Sequence, residues 1–467
     1  MYVYYIRVGS DMNEENKQYC QNSMGVEPCA LKWLNEAIEE SKQKIMIEQN
    51  TDEVRLYVKT LEDFIRTHSM ICYGGSAINN ILPDELQFYD KNDIPDYDVY
   101  STTPMEHAKE LADLYYNKFR VETTASTGVH EGTFKVYVNF ILIADITFLS
   151  PHLFEMLRRE SITIDGIAYS SPNLLRMNML YELSHPLNDP TRLEKVFLRF
   201  QLLNHYYTLK YHASQVIVPE DAKQTYIPSL MSVLIDHNVV FLGEFVYFYF
   251  FTKKKRIPSE LDVLCENISL VSRRVVQRLN ELGATNVTAE FKTPETNDPR
   301  FRNLEISVNK KRLVTLWFPD SAASYNEIEF HGFTKEDPPN PDVQLAHRTI
   351  RIGSIETMML YFYYFYYLER YPSYQTEHLY GIISFLMDKY LNGRDNTGIW
   401  KRFSLKCYGV PLRKQNILLK RKKKYRILVK NKNVTSKEYQ WLFLKYEPWG
   451  NHITRRRPRT TRRQLPH

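Results

Sequence analysis

The sequence predicts an α/β (α+β) fold in which a mixed sheet with covering helices is built twice, as one active and one degenerate domain. Three observations carry this reading. Helical and strand periodicities alternate along the chain, four short segments recur in the same order, and the acidic residues of the first set are altered in the second. At 467 residues the chain exceeds one compact core. Its 43% hydrophobic and 25% charged residues exclude global disorder.

Taken in order, Ala30–Glu48 and Asp52–Thr67 have the spacing of amphipathic helices, with Val54, Tyr57, Val58, Leu61, Phe64 and Ile65 on one face of the second. Met70–Tyr73 is a short apolar strand, and Gly74-Gly75-Ser76-Ala77 opens a helix. Asp96–Tyr100 alternates as a strand, and Met105–Tyr116 has helical spacing. Phe119–Ala125, Thr133–Phe140 and Ile141–Phe148 are expected strands, with turn residues at Thr127-Gly128 and Glu131-Gly132.

The repeat is read from four correspondences. His68–Ile78 resembles His237–Tyr247, Ile94–Val99 resembles Pro258–Val263, Asn139–Phe148 pairs with Asn309–Phe318, and Met179-Leu-Tyr181 with Met359-Leu-Tyr361. Any one match arises readily by chance; four in order point to a domain that occurs twice. In the second copy Glu244 and Phe245 replace Gly75 and Ser76, Glu260 replaces Asp96, Asp262 matches Asp98, and Thr315 replaces Asp145. Threonine supplies no anionic ligand, so chemistry is expected in the first copy alone. The expected domains are an N-terminal helical extension (1–50), an active domain (51–210), a degenerate domain (211–395) and a basic RNA-binding tail (396–467).

Charge is distributed unevenly. From Lys401 onward there are 21 Lys/Arg and two acids, whereas residues 1–400 carry a net charge of −13. A basic segment on an acidic body points to a polyanionic partner. Lys420, Arg421, Lys422, Lys423, Lys424 and Arg426, interleaved with Tyr425, Trp441, Phe443, Tyr446 and Trp449, suit a single-stranded nucleic acid: cations follow the backbone and rings stack on bases. Arg455–Arg459 extends the basic run. Five scattered cysteines without a Cys-x-x-Cys pair argue for a reducing compartment, and against a zinc module or a disulfide framework. The start lacks the pattern of a signal peptide, and the apolar runs Val239–Phe251 and Met358–Leu368 fall short of a membrane span, so no membrane partner is expected.

Asp96 and Asp98, two apart on a strand, project from one face. Such a pair repels itself and is relieved by a divalent cation with hard oxygen ligands. Asp145 lies in an apolar strand, where an acid is costly to bury without compensation. Three converging carboxylates are what a two-metal site requires. Gly74, Gly75 and Ser76 at a helix start add close backbone approach, N–H groups and a hydroxyl for phosphate. Each motif alone is weak; the three in sequence are far more specific. His130 and His185 are expected to be structural or surface histidines.

These residues resemble a family. Gly74-Gly75-Ser76, Asp96-Tyr-Asp98 and Asp145 are similar to the signature of the DNA polymerase beta-like nucleotidyltransferase superfamily. Ile71–Asn80, Pro95–Ser101, Ser171–Pro186 and Arg192–Arg199 further resemble the poly(A) polymerase catalytic subunits of large nucleocytoplasmic DNA viruses, over roughly residues 50–390. The resemblance implies a nucleotidyltransferase-type fold and template-independent addition of AMP from ATP to RNA 3′ ends. It places two Mg²⁺ or Mn²⁺ ions on Asp96, Asp98 and Asp145, and triphosphate-binding cations at Lys195 and Arg199. It also implies residence in the host cytoplasm or a viral factory, with packaging in the virion. Sustained extension calls for a processivity subunit or a second copy of the chain. The aromatic segments Phe245–Phe251 and Tyr361–Tyr367, read as surface-prone, favour a homodimer. The competing readings are nucleotidyl transfer to another acceptor and a non-catalytic RNA-binding protein.

Overall fold

Alternating apolar segments assemble into two eight-stranded mixed sheets. In the first, β1 (Ile71–Tyr73), β2 (Tyr97–Ser101), β3 (Thr123–Thr127), β4 (Thr133–Val138), β5 (Ile141–Phe148), β6 (Ile162–Ile164) and β7 (Ile167–Tyr169) are joined by β16 (Lys445–Tyr446). Their order is β16-β3-β4-β5-β2-β1-β7-β6. The second comprises β8 (Val240–Leu242), β9 (Leu261–Leu264), β10 (Val287–Lys292), β11 (Asn303–Val308), β12 (Lys311–Trp317), β13 (Ala323–Phe330), β14 (Arg348–Gly353) and β15 (Cys407–Tyr408). Its order is β10-β11-β12-β9-β8-β14-β13-β15. The computed structural model describes residues 32–38, 40–41, 52–89, 95–209, 216, 226–254, 257–292, 299–333, 345, 347–370, 376–431 and 433–449.

Without the added strands β15 and β16, the two sheets have one topology. Each of the six neighbouring strand pairs keeps its parallel or antiparallel sense from one sheet to the other. Register is kept as well: Tyr73 faces Asp98 as Leu242 faces Asp262, and Asp98 faces Asp145 as Asp262 faces Thr315. The β4–β5 and β11–β12 turns share a pair of positive-φ residues, Asn139-Phe140 and Asn309-Lys310, as a tight two-residue hairpin requires. The fold is thus a duplication. One correspondence shifts. Ser171 and Ser354 are the equivalent N-caps of α5 (Pro172–Ser184) and α10 (Ile355–Tyr367), each accepting from the N–H three residues on. Counted from them, Met179–Tyr181 falls on Phe362–Tyr364 rather than on Met359–Tyr361.

Helices follow their sequence patterns. Leu61, Phe64 and Ile65 of α1 (Asp52–Thr67) are buried at helical spacing. Helix α2 (Gly74–Ile81) follows β1 directly, and α3 (Pro104–Phe119) covers β3 and β4. It runs further than its apolar spacing suggests and stops at Arg120, whose φ of 57° is left-handed. The strand expected from Phe119 therefore begins at Thr123. After α4 (Pro151–Glu160) and α5 comes α6 (Leu193–Tyr206); the second half adds α7 (Ile227–Asp236), α8 (Gly243–Val246), α9 (Ile268–Glu281), α10 and α11 (Thr376–Asn392). The equivalent helices α5 and α10 pack on each other. Helix α10 is apolar or aromatic on nearly every side, as a helix enclosed by protein must be, whereas α5 keeps Arg176 buried by bonding it to Asn173 and Asn204.

The chain separates into two compact units, residues 1–60 with 89–95, and residues 61–88 with 96–467. Both sheets lie in the second. In the first, the residues described between 32 and 41 are helical; the rest of the expected Ala30–Glu48 helix, Cys20, Cys29 and Arg455–Arg459 lie outside the described residues. Among the described residues no helix is long and apolar enough to cross a membrane.

Two expectations need correction. Phe245–Phe251 is not a surface: all seven residues are buried, with Phe245, Tyr249, Phe250, Phe330 and Phe333 forming one aromatic cluster. Tyr361–Tyr367 is likewise core except at Tyr366, whose hydroxyl bonds to Glu160. The aromatic surface that favoured a homodimer is therefore absent from these segments, because the duplicated helices use their rings to fill the interior. The basic C-terminal segment is built into the fold. It supplies β15 to the second sheet and β16 to the first, and forms α12 (Lys414–Lys430) and α13 (Lys437–Phe443) between them.

Candidate active site

Strand β2 ends a loop at Asp96 and carries Asp98, beside Asp145 on the parallel neighbour β5. Adjacent strands lie about 4.8 Å apart, so Asp98 and Asp145 are juxtaposed by pairing alone. Burial, then the charges of Asp96 and Asp145, push the Asp98 carboxyl up to about 7. Burial also raises Asp145, against the hydrogen bond and charge of Lys135. Lys135 Nζ donates to both Asp145 oxygens, at 2.7 and 2.5 Å. An all-oxygen carboxylate set of this kind is of the type that hard divalent cations take.

That repulsion has a measurable sign. An unfolded Asp98 releases its proton near the ordinary carboxylate range, whereas the folded one holds it up to about 7. Stability is therefore lost as pH rises through this interval, and the penalty persists above it. Mg²⁺ should raise the thermal midpoint more at pH 8 than at pH 5; equal shifts would remove the cation from this cluster.

Gly74 has φ +74°, and a Cβ there would lie 2.4 Å from Asp98 Oδ2. Gly243 repeats both features, with Asp262 Oδ2 at 2.8 Å from such a Cβ. This glycine admits the aspartate in both lobes and is not itself a mark of phosphate binding. The lobes differ at the next two positions. Ser76, buried, donates its hydroxyl to the Asp96 carbonyl at 2.6 Å. It braces the loop before β2. In the second lobe Glu244 turns to His378 at 2.8 Å, and Phe245 joins the core.

Cations gather on α6 and the turn before it. Lys195 is pushed down by partial burial and by Arg199 and Arg192, with Asp96 opposing. Arg199 stacks its guanidinium 4.5 Å from the Phe88 ring centre. Arg192, held by Glu182 at 2.8 Å, also acts on the Asp98 carboxyl. Sequence reasoning missed Arg192 and Lys135 as site residues. The spacing of Arg192, Lys195 and Arg199 on one helical face could have found the first. His130 is an exposed histidine, as expected, on the β3–β4 turn, where it feels the charges of Arg192, Glu182, Lys135 and Asp145. His185 is buried and structural, its Nδ1 2.7 Å from the Tyr181 carbonyl.

In the second lobe an arginine occupies the equivalent place. Arg370, 4% exposed, lies 2.7 Å from Asp262, 3.6 Å from Glu260 and 3.1 Å from Thr315 Oγ1. One guanidinium thus contacts all three counterparts of Asp96, Asp98 and Asp145. Arg312 adds a bond to Glu260 at 2.6 Å, and Trp317 Nε1 donates to Asp262 at 2.9 Å. Burial opposes ionisation of Glu260, but Arg370 and Arg312 hold it below the usual range.

The basic helix α12 divides its cations. Lys420, Lys422, Lys423, Lys424 and Arg426 are exposed. Arg421 instead donates to the Gly128 carbonyl at 2.7 Å and to the Leu442 carbonyl. Trp441 packs edge-on against Phe134 and Phe148, and Tyr446 bonds to Asp113 at 2.7 Å. Arg421, Trp441 and Tyr446, read as RNA contacts, therefore seat the segment on the β3–β4 hairpin. On the expectation that this helix binds RNA, Lys422→Ala or Lys423→Ala should weaken primer binding and reduce its log-salt slope by about 0.7 each, at an unchanged thermal midpoint. Arg421→Ala should lower the midpoint by stranding two carbonyls, about 1–3 kcal/mol each. Deleting residues from Pro411 onward should damage the first sheet as well as primer binding. Equal midpoints for the Arg421 and Lys422 variants would refute this division.

Fold and cluster together define a protein of two duplicated mixed-sheet lobes, with an acidic cluster in one copy and an arginine-filled counterpart in the other. Comparison narrows this further. Residues 59–189 match the family model described as poly(A) polymerase catalytic subunit. A protein of Acanthamoeba polyphaga mimivirus assigned as such a subunit is 26% identical over 293 residues, 60% of this chain and 49% of the relative. One of African swine fever virus is 28% identical over 188 residues, 40% of this chain and 38% of the relative. These matches span about half of the relatives' length or less. The crystal structure of the Megavirus polyadenylate synthase shares the fold, with TM-score 0.72 and 19% identity over 98% of this chain and 90% of that one.

Proposed function

We propose that this chain is a poly(A) polymerase, transferring AMP from ATP to RNA 3′ ends, mRNA among them. The observation that carries the reading is the convergence of Asp96, Asp98 and Asp145 in one lobe, with Arg370 in the equivalent place of the other. Asp96 and Asp98 would hold two Mg²⁺ or Mn²⁺ ions and Asp145 one of them. When bound, such ions polarise the attacking hydroxyl and neutralise phosphate charge.

The chain's own residues do the positioning. Asp145 orients the RNA 3′-hydroxyl, while Lys135 keeps that carboxylate in a fixed place on β5. Arg192, Lys195 and Arg199 receive the triphosphate, and the backbone at Gly75 lies at the start of α2, where N–H groups favour an anion. The 3′-hydroxyl gives up its proton to the Asp145 carboxylate or to water as its oxygen forms a bond to the α-phosphorus, the bond to pyrophosphate breaks, and pyrophosphate leaves with that bonding pair. Placement and charge compensation account for most of the acceleration in such transfers. Exposed Lys420, Lys422, Lys423, Lys424 and Arg426 follow the RNA backbone upstream of the site. The catalytic-subunit names of the relatives support a separate partner subunit. The proposed domains are residues 1–50, 51–210, 211–395 and 396–467, and the proposed location is the host cytoplasm or viral factory, with entry into virions.

The test is extension of an oligo(A) primer with Mg²⁺ or Mn²⁺ and each NTP supplied alone. ATP-dependent ladders support the reading. No extension with any NTP, or equal use of all four, refutes it.

A further inference from the structure

A second cluster of ligating side chains lies at the opposite end of β1 and β2 from the carboxylates. His68 stands between α1 and β1, and His107 and Glu110 lie one turn apart on α3. One ligand atom from each falls within 4.8 Å of the other two. His68 Nε2 is 3.1 Å from Glu110 Oε1, and the two imidazole centres are 4.7 Å apart. Both rings are held from behind. His68 Nδ1 lies 3.0 Å from the Phe64 carbonyl, and His107 Nδ1 lies 2.8 Å from Ser101 Oγ.

A carbonyl only accepts, so His68 Nδ1 carries a hydrogen. Its Nε2 then presents a lone pair to a carboxylate oxygen, an arrangement that requires a proton or a cation between them. Imidazoles tethered at Nδ1 by an oxygen, with Nε2 turned to a shared point, are the usual outer shell of a metal-binding histidine. The second lobe provides an internal control. His237 occupies the place of His68 and makes the same Nδ1 contact, 2.8 Å from the Val233 carbonyl. Counted from the equivalent N-caps Thr103 and Asn267, however, His107 and Glu110 become Val271 and Arg274. The helix-end histidine is common to both lobes, whereas the face that completes a ligand set occurs in one.

We propose that His68, His107 and Glu110 bind one Zn²⁺, with water completing a tetrahedron on the open side, where Glu110 is 57% exposed. Two imidazoles and one carboxylate suit zinc, while the all-oxygen Asp96–Asp98–Asp145 set suits magnesium. The ion clamps α3 to the end of α1 and so fixes the base of the two strands that carry Gly74 and Asp98. The scattered cysteines excluded a thiolate zinc module and are silent on a site of this composition. The inference is independent of the poly(A) reading.

The test titrates the chelator-stripped full chain with Zn²⁺ in millimolar Mg²⁺ by calorimetry, with Co²⁺ as an absorbing substitute. The expected result is one Zn²⁺ per chain, a raised thermal midpoint and a visible Co²⁺ band. His68→Gln and Glu110→Gln should each weaken binding by about tenfold or more. Asp98→Asn and Glu329→Gln should leave it unchanged; the latter controls for the exposed group Glu329, His331 and His347. The proposal is overturned if the wild type shows neither heat nor midpoint shift. It is equally overturned if binding survives both His68→Gln and Glu110→Gln, or disappears in Asp98→Asn or Glu329→Gln.

Discussion

Asp98→Asn is expected to reduce primer extension by about a hundredfold or more, with no loss of fold. The same holds for Asp96→Ala and Asp145→Ala. The fold should tolerate the change because the native carboxylate is under electrostatic strain: burial and two neighbouring acids push it up to about 7. Asparagine keeps the shape packed against Gly74 and removes the charge. Metal-free Asp98→Asn should therefore melt at or above the wild-type midpoint at pH 8. Asp145→Ala releases Lys135, whose side chain is 25% exposed and can be hydrated. Near-normal extension by Asp145→Ala would exclude it from the reacting cluster, and melting of Asp98→Asn below the wild type would show that its charge is structural.

Arg370→Met should have the opposite signature, a loss of stability without a loss of chemistry. Arg370 and Asp262 are 4% and 3% exposed and 2.7 Å apart, so removing one strands the other in the interior. Breaking such a pair destabilises by about 3–5 kcal/mol. Asp262→Ala should lose a similar amount, since it also orphans Trp317 Nε1. Neutralising the acids together, as in Arg370→Met with Glu260→Gln and Asp262→Asn, should recover much of the loss. Differential scanning calorimetry reads the first effect, and extension below the melting range reads the second. An Arg370→Met chain as stable as wild type would contradict the buried pair. A folded Asp262→Ala chain that no longer extends primers would mean that the second lobe takes part in the reaction.

Much of this arrangement was legible in local pattern. Asp96-Tyr-Asp98 is short-range: Asp98 lies on β2 and Asp96 ends the loop just before it. The duplication could be read because each lobe repeats the same turn residues, Gly74 with Gly243 and Asn139 with Asn309. Lys135 could not be found this way. Counting back from the Asn139-Phe140 turn opposes it to Ala144, but a bulge between Val136 and Tyr137 shifts the register and sets Lys135 against Asp145. The alignment of Met179–Tyr181 with Met359–Tyr361 failed because a matching tripeptide one turn away competed with the true N-cap register.

The sequence by itself determined the fold class, the repeat and the residue differences between the lobes, since each depends on spacing within a strand, a helix or a turn. Tertiary structure alone decided the uses of side chains whose partners are distant in the chain. Arg370 meets Glu260, Asp262 and Thr315 only when α10 delivers it to the second sheet. Arg421 became a clamp on Gly128 while Lys422 and Lys423 stayed in water, because one face of α12 rests on the protein. Phe245–Phe251 turned inward for a comparable reason: apolar rings go wherever packing encloses them, and composition does not say which neighbours will do so.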